Sequence, residues 1–227
     1  MSSPSPSEAS VLRAALRGSN GVGLAELPPL AFERLDEAPD ALFHAEPRMA
    51  PHVDAGAQAA LRGLYGELLA PGMRVLDLMS SCHSHLPEGL DLHVRGHGMN
   101  GAELEANPAL ARRFVQDLNI DPVLPLHDRA FDAVLCAFAV QYLTRPTAAL
   151  GEAARVLRPG GVVVVSFTEA CFAAKAVTVW RVLGPEERAR YVELAMAEAD
   201  LADTERRELV PPGGTGDPLW AVLGRKA

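Results

Sequence analysis

Two uninterrupted apolar runs constrain this chain more than any other feature. Ala133–Val140 reads AVLCAFAV and Val162–Phe167 reads VVVVSF. Each has the length of a strand, and neither alternates apolar with polar residues as a half-buried strand does. Strands of this kind are covered on both faces, the condition of parallel strands flanked by helices. Met73–Leu78 (MRVLDL) reads as another buried strand, His93–Gly98 as a further one, and Phe114–Leu118 as a weaker candidate.

Helical spacing fills the intervals. Ala57, Leu61, Leu64 and Leu68 recur along Val53–Leu69 until Pro71-Gly72 stops the run. Asn100 with Glu103 three residues on resembles a capping box, and Asn107-Pro108 resembles a cap followed by a first-turn proline. Pro146–Leu157 ends at Pro159-Gly160-Gly161, and Pro185–Asp200 is a longer helix. Glu208–Pro211 and Leu219–Gly224 flank a Pro/Gly-rich turn and read as a hairpin. Strand and helix in alternation predict a doubly wound α/β sheet, with ligands beyond the carboxyl ends of its strands.

Upstream of the strands the expected layout is a flexible polar tail over residues 1–20, with a short helix near Val11–Leu16. A cap and helix follow over 21–70, then one sheet domain over 71–227. The cap is broken by Pro28, Pro29, Pro39, Pro47 and Pro51, yet it carries Leu30, Phe32, Leu35, Leu42 and Phe43. Irregular but apolar, it reads as a segment packed on something. Its acids Asp36, Glu37 and Asp40 are expected on a solvated face.

At 227 residues the chain can bury a core without disulfide or zinc. Lys and Arg number 21 against 29 Asp and Glu, a net charge of −8 that disfavours a nucleic-acid surface. Three cysteines, 82, 136 and 171, form no CxxC, so neither a disulfide framework nor a metal site is expected. Convergence of the three thiols at one sheet edge is the minority reading. MSSPSPSEAS lacks the basic and apolar regions of a signal peptide, and no window suits a membrane span. A cytoplasmic protein with no nucleic-acid and no membrane partner is expected; the oligomeric state is left open.

Chemistry is sought in the loop after the first strand, VLDLMSSCHSHLP at 75–87. Met79, Ser81 and His83 stand where alternating glycines would let a backbone approach a nucleotide, so the dinucleotide fingerprint fails and a nicotinamide enzyme is disfavoured. His83 and His85, two apart, cannot form a helix-face metal pair.

VLDL at 75–78, GHGMN at 96–100, QDLN at 116–119, LPLHDRAFDAVLCAFAVQYL at 124–143 and RVLRPGGVVVVSF at 155–167 together resemble the class I S-adenosylmethionine (SAM)-dependent methyltransferases. More narrowly they resemble a branch whose first loop reads LDLMSS. The resemblance implies a mostly parallel, seven-stranded, Rossmann-like sheet with an antiparallel C-terminal hairpin. It implies SAM as methyl donor, no metal, and a small-molecule acceptor. The alternative is a non-catalytic or regulatory SAM-binding module, since the glycines are missing and the ribose-binding acid of the second strand is replaced by Gly98. Carried onto this sequence, Asp77 falls near the amino and ribose groups of SAM, Met79, Ser80 and Ser81 near its methionine portion, and Met99 and Asn100 near the ribose. Asp117 and Leu118 match the adenine contacts, and Ala137 the passage beside the sulfonium, with Gln141 and Tyr142 at the substrate edge. Arg48 is expected to meet the methionine carboxylate. His52, His85 and Tyr142 are the candidate bases, should the acceptor need one.

Overall fold

The computed structural model describes residues 6–17 and 23–227. Its helices are α1 (Pro6–Arg17), α2 (Asp40–Phe43), α3 (Ala55–Leu68), α4 (Gly101–Ala106), α5 (Pro146–Val156), α6 (Thr178–Val182) and α7 (Pro185–Glu198). Its strands are β1 (Arg74–Asp77), β2 (His93–Gly98), β3 (Arg112–Val115), β4 (Phe131–Ala137), β5 (Leu157–Thr168), β6 (Leu201–Val210) and β7 (Leu219–Lys226). They form one seven-stranded sheet in the order β3-β2-β1-β4-β5-β7-β6, with β7 antiparallel to both its neighbours.

The apolar runs occupy the sheet centre as their composition requires. Successive side chains of a strand point to opposite faces. Ala133 and Leu135 of β4 therefore enter one buried layer, beneath Ala57, Leu61, Leu64 and Tyr65 of α3 and Leu104 of α4. Val134 and Cys136 enter the other layer, with Leu150 of α5, Trp180 of α6 and Tyr191 of α7. The chain runs outward from β1 to β2 and β3, then returns to place β4 on the other side of β1. The carboxyl ends of β1 and β4 thus flank the switch point, where a crevice opens.

Three local expectations need correction. β3 ends at Val115 and starts two residues before Phe114; as an edge strand with exposed Arg112 and Arg113 it lacks the apolar signal of its neighbours. Asn107-Pro108 opens a turn, not a helix, because the Asn107 amide is spent on the Ser81 carbonyl and Ser84 hydroxyl, both at 2.8 Å. The hairpin strands β6 and β7 extend well beyond the residues expected; most of β6 is exposed and has no apolar pattern.

The expected tail and cap are also changed. Residues 1–5 and 18–22, most of them in that tail, lie outside the described residues. Between them α1 buries Leu12 and Leu16 in the main core. Residues 23–54 cross the carboxyl ends of the strands. Asp40 is buried, not solvated: Arg34 Nη1 meets both its oxygens at 2.7 Å, Lys175 Nζ lies 3.2 Å away, and Asn119 Nδ2 donates at 2.9 Å. Asp36 pairs with Lys175, and Glu37 takes the Arg34 amide. Lys175 and Asn119 of the sheet domain thus tie down the cap's own buried Arg34–Asp40 pair.

Candidate functional site

Between this cap and the strand ends lies a cavity of about 290 Å³. Twelve of the thirteen site candidates line it: His52, His85, Tyr142, Arg48, Asp77, Met79, Ser80, Ser81, Met99, Asp117, Leu118 and Ala137. The exception is Asn100. Its Oδ1 caps α4 by accepting from Ala102 and Glu103, and its Nδ2 donates to the His44 carbonyl at 2.8 Å, so both ends of the amide are used. Asn100→Ala is expected to lower the unfolding free energy by about 1–2 kcal/mol, a lost N-cap plus a lost cap tether, as read by urea denaturation.

The glycine-free loop after β1 is held by backbone contact. Met79 takes φ 57°, a left-handed conformation that a glycine adopts without cost. Its amide donates to His97 Nδ1 at 3.1 Å, and the Ser80 amide donates to the His97 carbonyl at 2.6 Å. His97 Nε2 in turn reaches the Gln116 carbonyl at 3.0 Å, which fixes it as the neutral Nε2–H tautomer. Burial holds its pKa down at about 4. His97, within β2, is the post to which the loop is tied. The Ser80 carbonyl packs against Gly98 so closely that any Cβ there would overlap it. The lost glycines and the lost strand-end acid are therefore one arrangement: the loop occupies the space an acid would need.

Asp77 ends β1 fully buried, accepting from Ser80 Oγ at 2.6 Å. Burial pushes its pKa up to about 6, partly offset by the Ser80 and Ser84 hydroxyls. Sequence reasoning saw Glu103 only as part of a capping box. Its buried carboxylate does not return to Asn100; it accepts from the Arg48 amide at 2.7 Å and from Ser81 Oγ at 2.6 Å, inside the cavity. Arg48 lies over the rings of Phe43 and Phe172, at 4.3 and 5.3 Å from guanidinium carbon to centroid. One of its nitrogens donates to the Phe43 carbonyl, and the other, Nη1, is buried without a partner.

Toward β4 and β5 the lining turns aromatic. His85, at φ 52°, stands edge-on to Phe138, itself at φ 57°. His52, at φ 64°, meets Phe172 in the same way, and Tyr142 stacks on Phe172. Four non-glycine residues in left-handed conformations around one cavity are a concentration of backbone strain of the kind seen at functional sites. Burial lowers the pKa of His52, lowers that of His85 to about 4, and raises that of Tyr142. All three candidate bases are thus uncharged near neutrality. Phe172 and Lys175, which follow β5, also line the cavity and carried no sequence signal beyond position.

The thiols stand in separate surroundings. Cys82 sits under the cap near the carbonyls of Arg48 and Ala50, Cys136 is in the core with its pKa raised by burial to about 12, and Cys171 lines the cavity. Among the described residues no three His, Cys, Asp or Glu side chains are grouped to hold a metal ion. No described helix is long and apolar enough to cross a membrane.

Comparison with known proteins agrees with the sheet. Residues 94–165 match the model of a methyltransferase domain family. A 47-residue stretch is 47% identical to the ubiquinone/menaquinone biosynthesis C-methyltransferase of Roseobacter denitrificans. That match covers 20% of this chain and 19% of the relative, so the chain matches about a fifth of that protein's length. A SAM-dependent methyltransferase of Aquifex aeolicus superposes with a TM-score of 0.56 at 17% identity, over 76% of this chain and 92% of that one. The [4+2]-cyclase SpnF superposes at 0.53 with 16% identity, over 73% and 79%. At such identities the likeness is one of fold. Residues 94–165 thus carry a methyltransferase-domain match, and the whole sheet carries the fold seen in SAM-dependent methyltransferases.

Proposed function

We propose that the cavity binds SAM and transfers its methyl group to a small-molecule acceptor. The observation that carries this reading is the half-buried Arg48 guanidinium, which lies against two rings with its Nη1 buried and unpartnered, in a cavity that also holds the buried Asp77 carboxylate. A cation and an anion facing one cavity suit the carboxylate and ammonium ends of an amino-acid group. Asp117 and Leu118 would take the adenine, and Met79, Ser80 and Ser81 would border the methionine chain. Glu103 is a carboxylate within the cavity where strand-end Gly98 offers none.

SAM supplies a methyl group on a positively charged sulfur, already activated for displacement. The chain's contribution is then to hold the acceptor in line, which at best supplies roughly 7–11 kcal/mol of the barrier. The cap also shields the reacting groups from water. His52 and His85, both neutral, can take a proton from the acceptor, whereas a protonated Tyr142 is a hydrogen-bond donor. The cavity's modest volume and its position under a stapled cap favour a small acceptor over a macromolecule.

Titration calorimetry with SAM and with its demethylated product is the test. One molecule of each per chain is expected, and no binding of either would sink the reading. The rigid, glycine-free loop favours one second reading, a SAM-binding module without turnover. Binding of SAM with no methyl consumption across a broad acceptor screen would support that alternative.

A further inference from the structure

We propose that Gln141 recognises the acceptor, and that the acceptor is a flat, mostly apolar small molecule bearing an O–H or N–H group. The inference rests on the methyltransferase reading and deepens it by naming the acceptor class.

Gln141 follows β4 on the single turn Val140–Tyr142 and is only 2% exposed, yet it lines the cavity. Its Nε2 donates to the Phe138 carbonyl at 2.7 Å, which settles which end of the amide is which. Its backbone carbonyl takes the Val177 amide at 3.0 Å. The side-chain Oε1 is left buried with no partner. Buried side-chain oxygens are almost always paired, so an orphan in a ligand cavity marks a hydrogen that the ligand brings. The other orphan of the cavity, Arg48 Nη1, is a cationic donor and calls for an anion, so one ligand group cannot satisfy both.

Tyr142 supplies the complement. Its hydroxyl oxygen accepts the Phe172 amide at 3.0 Å, leaving its own hydrogen to be donated, and burial raises its pKa against the opposing pull of the Phe172 amide and the Gln141 side chain. Acceptor Gln141 Oε1 and donor Tyr142 O–H are neighbours in the chain. A hydroxyl or amine satisfies both by giving its hydrogen to the first and a lone pair to the second. The surrounding rings, Phe138 with His85 and Phe172 with Tyr142, present flat apolar faces rather than charge. An amide is no base, so the role of Gln141 is recognition and positioning.

Two matched probe pairs test this by ligand-observed NMR: phenol against anisole, and aniline against N,N-dimethylaniline. Within each pair the second lacks the hydrogen. With the demethylated SAM product bound, phenol and aniline are expected to bind about tenfold better than their methylated partners. Gln141→Leu should bring each ratio near one, and Gln141→Glu should keep it. A ratio near one in the natural chain would mean that only water meets Oε1, and would overturn the proposal. So would a ratio unchanged in Gln141→Leu, or a tenfold loss of cofactor-product affinity in that variant, which would assign Gln141 to the cofactor. If the cofactor product does not bind at all, the methyltransferase reading fails separately, and the same ratios measured on the free protein still decide the role of Gln141. Should Gln141→Leu not fold, the natural chain and Gln141→Glu carry the comparison.

Discussion

Asp77→Asn is expected to unfold at a higher temperature than the natural chain at pH 7.5 and to bind SAM more weakly. The carboxylate is fully buried, and its pKa in the folded chain is about 6 against an ordinary 3.8. A carboxyl group whose folded pKa is raised holds its proton more tightly when folded. Its effect on stability is therefore nil below the unfolded value and becomes a penalty as pH rises through 3.8 to about 6. The full penalty is roughly 3 kcal/mol, present at pH 7.5, reduced to about 0.5 kcal/mol at pH 4 and absent below about pH 3. Asparagine keeps an oxygen for the Ser80 hydroxyl and removes the charge. The variant should gain up to that amount at pH 7.5, on the order of 6–12 °C for a chain of this size, and only a small fraction of it at pH 4.

The neutral histidines move oppositely. His97 and His85, with pKa values depressed to about 4, resist protonation in the folded state, so stability falls as pH drops from 6.5 toward 4. Both remain in the variant, and the difference between the two chains isolates Asp77. Equal melting at both pH values would remove the idea of a charge held at the expense of stability. On the binding side, the natural chain should lose SAM affinity below about pH 6 as Asp77 protonates. Asp77→Asn should be weaker by tenfold or more at pH 7.5 and show no such step. A destabilising charge retained at a ligand-facing strand end is the common trade between stability and function.

The legible part of this molecule was the part with two-sided burial. AVLCAFAV and VVVVSF announced β4 and β5 because both faces of a central parallel strand demand apolar residues. Edge strands β3 and β6 have one neighbour and mostly exposed side chains, so the same signal was absent. Site candidates carried over at strand ends reached the cavity because the switch point draws those ends together. Asn100 failed because its amide had a local use as a helix cap, and Glu103 was passed over because its spacing from Asn100 suggested the same local use. Asp40 looked solvated among Asp36 and Glu37; only the fold brings Arg34, Lys175 and Asn119 around it. Partners separated by up to 135 positions leave no pattern in a single sequence.

Gly98→Ala is expected to cost about 3 kcal/mol or more, at the upper end of overpacking substitutions. The added carbon would overlap the Ser80 carbonyl and lie 3.1 Å from Leu104 Cδ2. The leucine tip can shift, but the carbonyl cannot readily do so. Its residue is tied through the Ser80 amide to the His97 carbonyl, the preceding amide is tied to His97 Nδ1, and the histidine is anchored to Gln116. Relief therefore requires the whole Met79–Ser81 segment to leave the end of β2, exposing Asp77 and breaking the contact between Ser81 and Glu103. The same reasoning makes Gly98→Asp a decisive variant. It would restore an acid at the strand end, yet it should bind SAM at least tenfold more weakly than the natural chain, because the acid displaces the loop that borders the ligand. Chemical denaturation and calorimetry on the two variants read both effects. If Gly98→Asp were as stable as the natural chain and bound SAM more tightly, the loop would have to be free to move, and Gly98 would be only a missing acid.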